Sequence, residues 1–152
     1  MLNTDQYKII QADISHLSRI KEINHQLPYD IWSDDNFNNA FNWNLPITLI
    51  QNQDRVIVGY LIAIFCLEEI KIINFMVEPE YQGQGYGRAL LLHVLQDAVA
   101  QGTQYAMLDV RVNNLNAVAL YTSLGFQILA VRPNYYTDNV ICDAYLMQSR
   151  LR

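Results

Sequence analysis

The sequence predicts an α/β domain in three layers, in which helices are interspersed with a mixed β-sheet. The first observation is the order of the predicted elements, which is β-α-α-β-β-β-α-β-α-β-β along 152 residues. The second is that 51% of the residues are apolar, which suits a single core of this size. The chain has no repeat, low-complexity tract or linker. We therefore predict one domain over residues 1–152.

Each element rests on a local pattern of apolar residues and on the residues that start or stop it. Asp13 and Ser33 are suitable helix caps, and Pro28 stops the first helix. The predicted strands are Tyr7–Gln11, Ile47–Gln51, Val56–Phe65, Ile72–Val77, Tyr105–Arg111, Phe126–Arg132 and Val140–Gln148. The predicted helices run from Asp13 to Pro28, from Ser33 to about Phe41, from the glycine-rich turn to Gly102, and over Asn114–Leu124.

A strand, a glycine-rich turn and a helix follow one another between Ile72 and Gly102. Pro79 ends the strand because proline cannot continue a central ladder. The turn reads Gln82-Gly83-Gln84-Gly85-Tyr86-Gly87, and the helix after it carries an apolar stripe. The N–H groups at a helix start carry about half a positive charge, and glycines let a phosphate approach the backbone. The element therefore predicts an anion site.

The spacing of the turn excludes the two commonest phosphate loops. A P-loop requires a lysine after its glycines, and none follows here. The dinucleotide fingerprint requires a third glycine where this chain has Arg88 or Leu90.

The pattern that remains, Q-x-x-G-x-G, resembles the acetyl-CoA pyrophosphate loop of the GNAT superfamily of N-acetyltransferases. Val110–Phe126 resembles the V-R-x-x-N-x-x-A-x-x-L-Y-x-x-L-G-F signature of that superfamily. Arg132–Tyr136 with Asp143-Ala144 resembles the R-x-N-Y-Y…D-A ending of one branch, the bacterial ribosomal-protein-alanine N-acetyltransferases (the RimI branch). Motifs are dense from residue 72 onward and sparse before residue 47.

This resemblance implies a GNAT-like three-layer α-β-α fold with a central mixed, mostly antiparallel seven-stranded sheet. It implies acetyl-CoA as co-substrate, with no metal, and the N-terminus of a basic ribosomal protein as acceptor. Tyr121 would protonate the leaving thiolate. The substrate contacts implied are Tyr135, Tyr136 and Trp32. The implied cofactor-binding residues are Phe75, Met76, Val77, Gln82, Gly83, Gln84, Gly85, Tyr86, Gly87, Arg88 and Asn114.

Several of these residues also have purely structural interpretations. Tyr121 lies on the apolar stripe of its helix, where a tyrosine is usually a core residue. Asn114 can simply cap its helix, and can do so while binding coenzyme A. Trp32 is more often a packed aromatic residue than a substrate gate, and the tyrosine pair can be loop packing.

The position of the general base departs from the branch, which has glutamate where this chain has Asp109. Aspartate is one methylene shorter, so its carboxylate retreats by about 1.5 Å and reaches the amine through water. An α-amine with a pKa near 7.7–8.0 tolerates such a base better than a lysine amine near 10.4. We therefore expect Asp109 to act as base on an α-amine, with Glu68 or Glu69 as the alternatives.

The net charge and hydrophobicity of the chain limit the classes of partner that it can bind. A net charge of −5 argues against nucleic-acid binding and favours a basic partner. No apolar run reaches the roughly 20 residues of a membrane span, and the N-terminus does not resemble a signal peptide, so we expect a cytoplasmic protein. Cys66 and Cys142 read as buried thiols, and the three histidines form no metal cluster.

Two other functions stay open at this level. One is an enzyme of the same fold that acetylates a small amine, such as a polyamine, an aminoglycoside or a free amino acid. The other is a non-catalytic domain that binds acyl-CoA or another protein. The oligomeric state is not readable from the sequence.

Overall fold

The computed structural model describes residues 2–27, 31–138 and 140–151. Seven strands form one sheet in the order β1-β2-β3-β4-β5-β7-β6. The strands are β1 (Tyr7–Gln11), β2 (Ile47–Asn52), β3 (Ile57–Cys66), β4 (Glu69–Val77), β5 (Tyr105–Arg111), β6 (Gln127–Tyr136) and β7 (Cys142–Arg150). The α-helices of the described residues are α1 (Leu17–Asn24), α2 (Asp34–Asn42), α3 (Tyr86–Ala100) and α4 (Leu115–Ser123).

The sheet is mixed, as the sequence predicts. Antiparallel pairs join β1 to β2, β2 to β3, β5 to β7 and β6 to β7. β4 and β5 are parallel, and they pair over Glu69–Lys71, the first third of the nine residues of β4. A parallel pair needs a crossover connection, and α3 provides it.

The chain divides into two units, and each has its own buried residues. The first unit comprises Met1–Ala63 and Asn74–Val94, and the second comprises Ile64–Ile73 and Leu95–Arg152. The core of the first unit includes Ile20, Ile23, Phe37, Leu49, Ile50, Tyr60, Ile62 and Leu90. The core of the second includes Ile70, Ala98, Ala106, Leu108, Phe126, Ala144 and Met147.

The predicted caps are confirmed. Asp13 accepts a hydrogen bond from the Ser15 N–H at 2.9 Å and begins a short 3-10 turn that α1 continues. Ser33 Oγ accepts the Asn36 N–H at 3.1 Å at the start of α2. These side chains satisfy backbone donors that a helix start leaves unpaired. α1 ends at Asn24, and the predicted stop at Pro28 lies outside the described residues.

Among the predictions from the sequence, the start of β4, the end of β6 and the burial of Cys66 are wrong. β4 begins at Glu69, three residues before the predicted Ile72. β6 does not end at Arg132 but continues through Pro133 to Tyr136. β6 is an edge strand of the sheet, where a proline that lacks an N–H does not interrupt the hydrogen bonds between strands. Cys66 is exposed rather than buried, because the last three residues of β3 are exposed, whereas Cys142 is buried as predicted.

No helix among the described residues is long and apolar enough to span a membrane.

Gly59 on β3 permits a close approach of the neighbouring chain. A Cβ built at this position would lie 3.0 Å from the Met76 carbonyl oxygen and 3.1–3.2 Å from methyl groups of Ile50 and Val77. Backbone at 3.0 Å cannot give way as a flexible side chain does. The absence of a side chain at Gly59 therefore lets β3 pack against the end of β4.

We expect Gly59→Ala to lower the free energy of unfolding by about 1–3 kcal/mol, because the added methyl group overpacks a buried site. Chemical denaturation measures the change. Gly102→Ala is a reference for a different cost, since a Cβ there meets open space but strains the backbone at a φ of +93°. A Gly59→Ala chain as stable as the unaltered protein would contradict this account of the packing.

Candidate active site

The end of β4 is fixed by hydrogen bonds within the first unit. The Glu78 N–H donates to the Val58 carbonyl oxygen at 2.8 Å, directly after the last residue of β4. The Gln82 side-chain amide donates to the Val77 carbonyl oxygen at 2.8 Å. The glycine-rich turn is therefore tied to the strand that precedes it.

A buried charge pair also stabilises the end of β4. The Glu78 side chain is 8% exposed and pairs with the Arg19 guanidinium of α1. Arg19 also donates to the Ile57 carbonyl oxygen, from Nε at 3.1 Å and from Nη2 at 2.8 Å. Charge-assisted bonds of this kind are stronger than neutral ones, so one helix holds the ends of two strands.

The predicted glycine-rich turn uses the conformational freedom of its glycines. Gly83 and Gly85 have φ values of +78° and +98°, which L side chains rarely adopt. The Ala89 N–H donates to the Gly85 carbonyl oxygen at 3.0 Å, so α3 begins directly after Gly85. The first N–H groups of an α-helix have no partner within the helix. Gly83 is exposed, and a Cβ built on it would meet no atom within 4 Å.

Asp109 is the centre of a charged cluster in the second unit. Its side chain is 7% exposed. The Lys71 ammonium lies 3.4 Å from Oδ2, and the Arg132 Nε lies 2.9 Å from Oδ1, although the latter pair is not aligned as a hydrogen bond. The Tyr135 hydroxyl donates to Oδ2 at 3.2 Å. Two cations and one hydroxyl therefore hold this carboxylate.

The two predicted substrate tyrosines differ in their surroundings. Tyr135 is 45% exposed, and burial, followed by the Asp109 charge and hydrogen bond, raises its pKa against the opposing effect of Arg132. Tyr136 packs at right angles to Tyr135, with 5.0 Å between ring centroids. The guanidinium of Arg111 lies 4.3 Å from the centroid of the Tyr136 ring. Tyr135 is thus the member of the pair that contacts the cluster.

Arg111 anchors the hairpin that carries these tyrosines. It is 2% exposed, and its guanidinium donates to Asp138 Oδ1 at 2.7 Å and to the Val140 carbonyl oxygen at 3.2 Å. The Asn134 N–H donates to Asp143 Oδ1 at 2.8 Å, where Asn134 has a φ of +52°. Asparagine tolerates this conformation better than most residues.

Tyr121 is buried on α4, with its ring centroid 5.7 Å from that of Phe126. Burial raises the pKa of its hydroxyl, so the side chain is protonated at neutral pH and retains a proton to donate. Asn114 caps α4 by accepting the Ala117 N–H at 3.3 Å, so its structural interpretation is confirmed. Capping does not prevent its amide from also contacting a ligand.

Trp32 packs within the first unit. Its ring centroid lies 5.2 Å from that of Phe37, and its backbone N–H donates to Asn24 Oδ1 at 2.9 Å. Its observed contacts are those of a packed aromatic residue. The substrate contact expected of Trp32 stays a prediction.

Sequence reasoning assigned no role to two members of the cluster. Arg132 belongs to a sequence motif that does not assign it a role, and no sequence pattern marks Lys71. Lys71 reaches Asp109 because β4 and β5 pair with Lys71 opposite Met107. Glu69, one of the alternative bases, lies opposite Tyr105 and so four residues before Asp109 on β5. The contact between Lys71 and Asp109 can therefore be predicted only when the register of β4 and β5 is known.

The fold is that of an N-acetyltransferase domain. The glycine turn at the start of α3 and the β5–α4 segment lie where the sequence motifs predict them. The model of the acetyltransferase (GNAT) family matches residues 17–126. The chain therefore belongs to the GNAT family of acyltransferases.

Individual relatives narrow the comparison. The chain is 36% identical to the [ribosomal protein bS18]-alanine N-acetyltransferase of Escherichia coli K12 over 82% of each chain. It is 33% identical to the protein of the same name from Haemophilus ducreyi, over 84% of this chain and 86% of that one. The crystal structure of the Escherichia coli ribosomal-protein-S18-alanine N-acetyltransferase superposes with a TM-score of 0.88 at 29% identity, and covers 95% of this chain and 94% of that one.

We expect Glu78→Gln to lower the free energy of unfolding by about 1–3 kcal/mol, because the amide loses the charge-assisted bond to Arg19. Urea denaturation measures it. Glu80→Gln is the matched control, since Glu80 lies on the same turn and is exposed. Equal stability of the two variants would mean that the Arg19–Glu78 pair does not stabilise the end of β4.

Proposed function

We propose that this chain transfers the acetyl group of acetyl-CoA to the α-amine of a protein N-terminus, and that its acceptor is the N-terminal alanine of a small-subunit ribosomal protein. The observation that carries this proposal is the similarity over 82% of both chains to an enzyme whose name states that substrate. The chain's acidic charge suits a basic ribosomal protein.

The residues of the glycine turn fit the diphosphate of coenzyme A. Gln82, Gly83, Gln84 and Arg88 are exposed, and no side chain fills the space above Gly83. We propose that the backbone of Gly83–Arg88 binds the diphosphate with N–H groups, as helix starts commonly do. Acetyl-CoA supplies an activated acetyl thioester, so the chain needs only to orient it and to move protons.

The last residues of β4 are proposed to bind the pantetheine arm. Phe75, Met76 and Val77 lie beyond the part of β4 that pairs with β5. An extended ligand can add to strand backbone through main-chain hydrogen bonds. A backbone N–H near Met76 is proposed to polarise the acetyl carbonyl oxygen in the manner of an oxyanion hole. Asn114 is proposed to contact the pantetheine amide.

Asp109 is proposed to take the proton of the acceptor ammonium through water. A base is useful for an α-amine even when weak, because about a tenth of an amine with a pKa near 8 is already neutral at pH 7. Tyr135 is exposed and bonded to Asp109, so the acceptor meets its hydroxyl before the buried carboxylate. Tyr121, protonated at neutral pH, is proposed to protonate the departing sulfur.

The acceptor class is tested with purified protein and acetyl-CoA by following free thiol. An alanine-initiated peptide with the sequence of a ribosomal-protein N-terminus is compared with spermidine, an aminoglycoside and free alanine. The same peptide blocked at its α-amine reports any transfer to lysine. We expect turnover only with the free α-amine. Turnover with the small amines alone would favour a small-molecule acetyltransferase and contradict the proposed acceptor.

We expect Gly83→Ala to weaken acetyl-CoA binding at least tenfold, because a Cβ on a residue with φ near +78° forces the turn out of its conformation. Calorimetry measures the affinity. Gly102→Ala is the matched control, since Gly102 also has a positive φ of +93° and open space around it. Loss of affinity in both variants would indicate general destabilisation and would not support a role for this turn.

We expect Asp109→Asn to lower kcat/KM for the peptide by about 10²-fold at pH 6.5. The deficit should shrink above pH 8, where the α-amine loses its proton without help. A pH–rate profile measures this, and Asp54→Asn on the exposed β2–β3 turn controls for loss of one charge. An unchanged rate at every pH would transfer the role of base to another residue.

A further inference from the structure

An amine of the chain itself lies beside the proposed base. The Lys71 Nζ is 3.4 Å from Asp109 Oδ2. The Lys71 side chain is 46% exposed, whereas that of Asp109 is 7% exposed. The ammonium of Lys71 thus occupies a place next to the carboxylate where an acceptor amine would give up its proton.

We propose that Lys71 is a site of self-acetylation, at which the chain transfers an acetyl group from acetyl-CoA to its own Nζ. The inference rests on the proposed function, because it uses the same donor and the same base. It adds an acceptor that the protein carries with it.

The step balances with the groups already named. Asp109 takes one proton from the Lys71 ammonium, directly or through one water. The neutral Nζ forms a bond to the acetyl carbon, the bond from that carbon to sulfur breaks, and the electron pair leaves with the sulfur. Tyr121 protonates the sulfur and regains a proton through solvent as the nitrogen loses its second one. The products are N-acetyl-Lys71, coenzyme A and one proton.

The fixed place of Lys71 beside Asp109 compensates for the high pKa of a lysine amine. At neutral pH the neutral fraction of a lysine amine is about 300-fold smaller than that of an α-amine. Well-oriented intramolecular groups react as if present at about 10⁵–10⁸ M. Strand pairing places Lys71 opposite Met107, two residues from Asp109 on β5, so the amine is held at the carboxylate before acetyl-CoA arrives. A small part of this effective molarity offsets the roughly 300-fold smaller neutral fraction of the lysine amine.

The cluster also keeps the carboxylate in place once Lys71 has reacted. Arg132 Nε lies 2.9 Å from Oδ1, and the Tyr135 hydroxyl donates to Oδ2. Acetylation removes the positive charge of the lysine, so the ion pair with Asp109 does not form again. Because the amide bond formed is stable in water, the modification is expected to accumulate rather than to turn over.

The test incubates the purified full chain with acetyl-CoA in the absence of peptide and follows each lysine by peptide mass spectrometry. Lys8, exposed on β1, reports spontaneous acetylation. We expect Lys71 to be acetylated at least about tenfold faster than Lys8, with a rate constant independent of protein concentration. Lys71→Arg keeps the cation beside Asp109 and should leave the labelling of Lys8 unchanged.

Dependence on the base is measured in two ways. Asp109→Asn should reduce the Lys71 rate to that of Lys8. Should that variant fail to fold, an excess of the alanine-initiated peptide added to the unaltered chain should protect Lys71 and leave Lys8 unaffected. Acetylation of the peptide together with equal rates at Lys71 and Lys8 would overturn the inference and leave the proposed function intact. Absence of acetyl-CoA binding would overturn the proposed function itself.

Discussion

The fixed end of β4 is the constraint on which the first unit depends. Glu78 is bonded to β3 through its N–H and to α1 through its carboxylate, while Gln82 reaches back to Val77. A strand that ends in free solvent would leave the glycine turn without a defined direction. Because these bonds hold the residues directly before the glycines, Gly83 and Gly85 begin α3 at a set place, and the helix start can present its N–H groups to an anion.

In the second unit, the Asp109 carboxylate is the centre of the charged cluster and the proposed base. Asp109 is nearly buried, and a buried charge is stable only when it is paired. Lys71 and Arg132 provide the pairing and Tyr135 provides a hydrogen bond, so the residue proposed as base also orients the residue proposed to meet the acceptor. The same pairing leads to the proposal that Lys71 itself is acetylated. The proposed chemistry and the pairing of a buried charge thus depend on the same contacts of one side chain.

The features that the sequence predicts well are those encoded locally. A helix cap such as Ser33 and the glycines of the turn act on residues within one helical turn, so their patterns are readable without tertiary information. The charged cluster is different, because Lys71, Asp109 and Arg132 come from three strands and meet only when the register is known. The length of β6 depends on its place at the edge of the sheet, which no local pattern encodes.

The most direct test of the central claim, transfer of acetyl to a protein N-terminus, is made in the cell. Intact-mass spectrometry of ribosomal proteins is compared between cells with the gene, cells without it and cells complemented with the Tyr121→Phe variant. We expect one small-subunit protein to lack a single acetyl group on its N-terminal alanine when the gene is absent. We also expect the variant to restore this group poorly. Identical ribosomal-protein masses in all three strains would contradict the account.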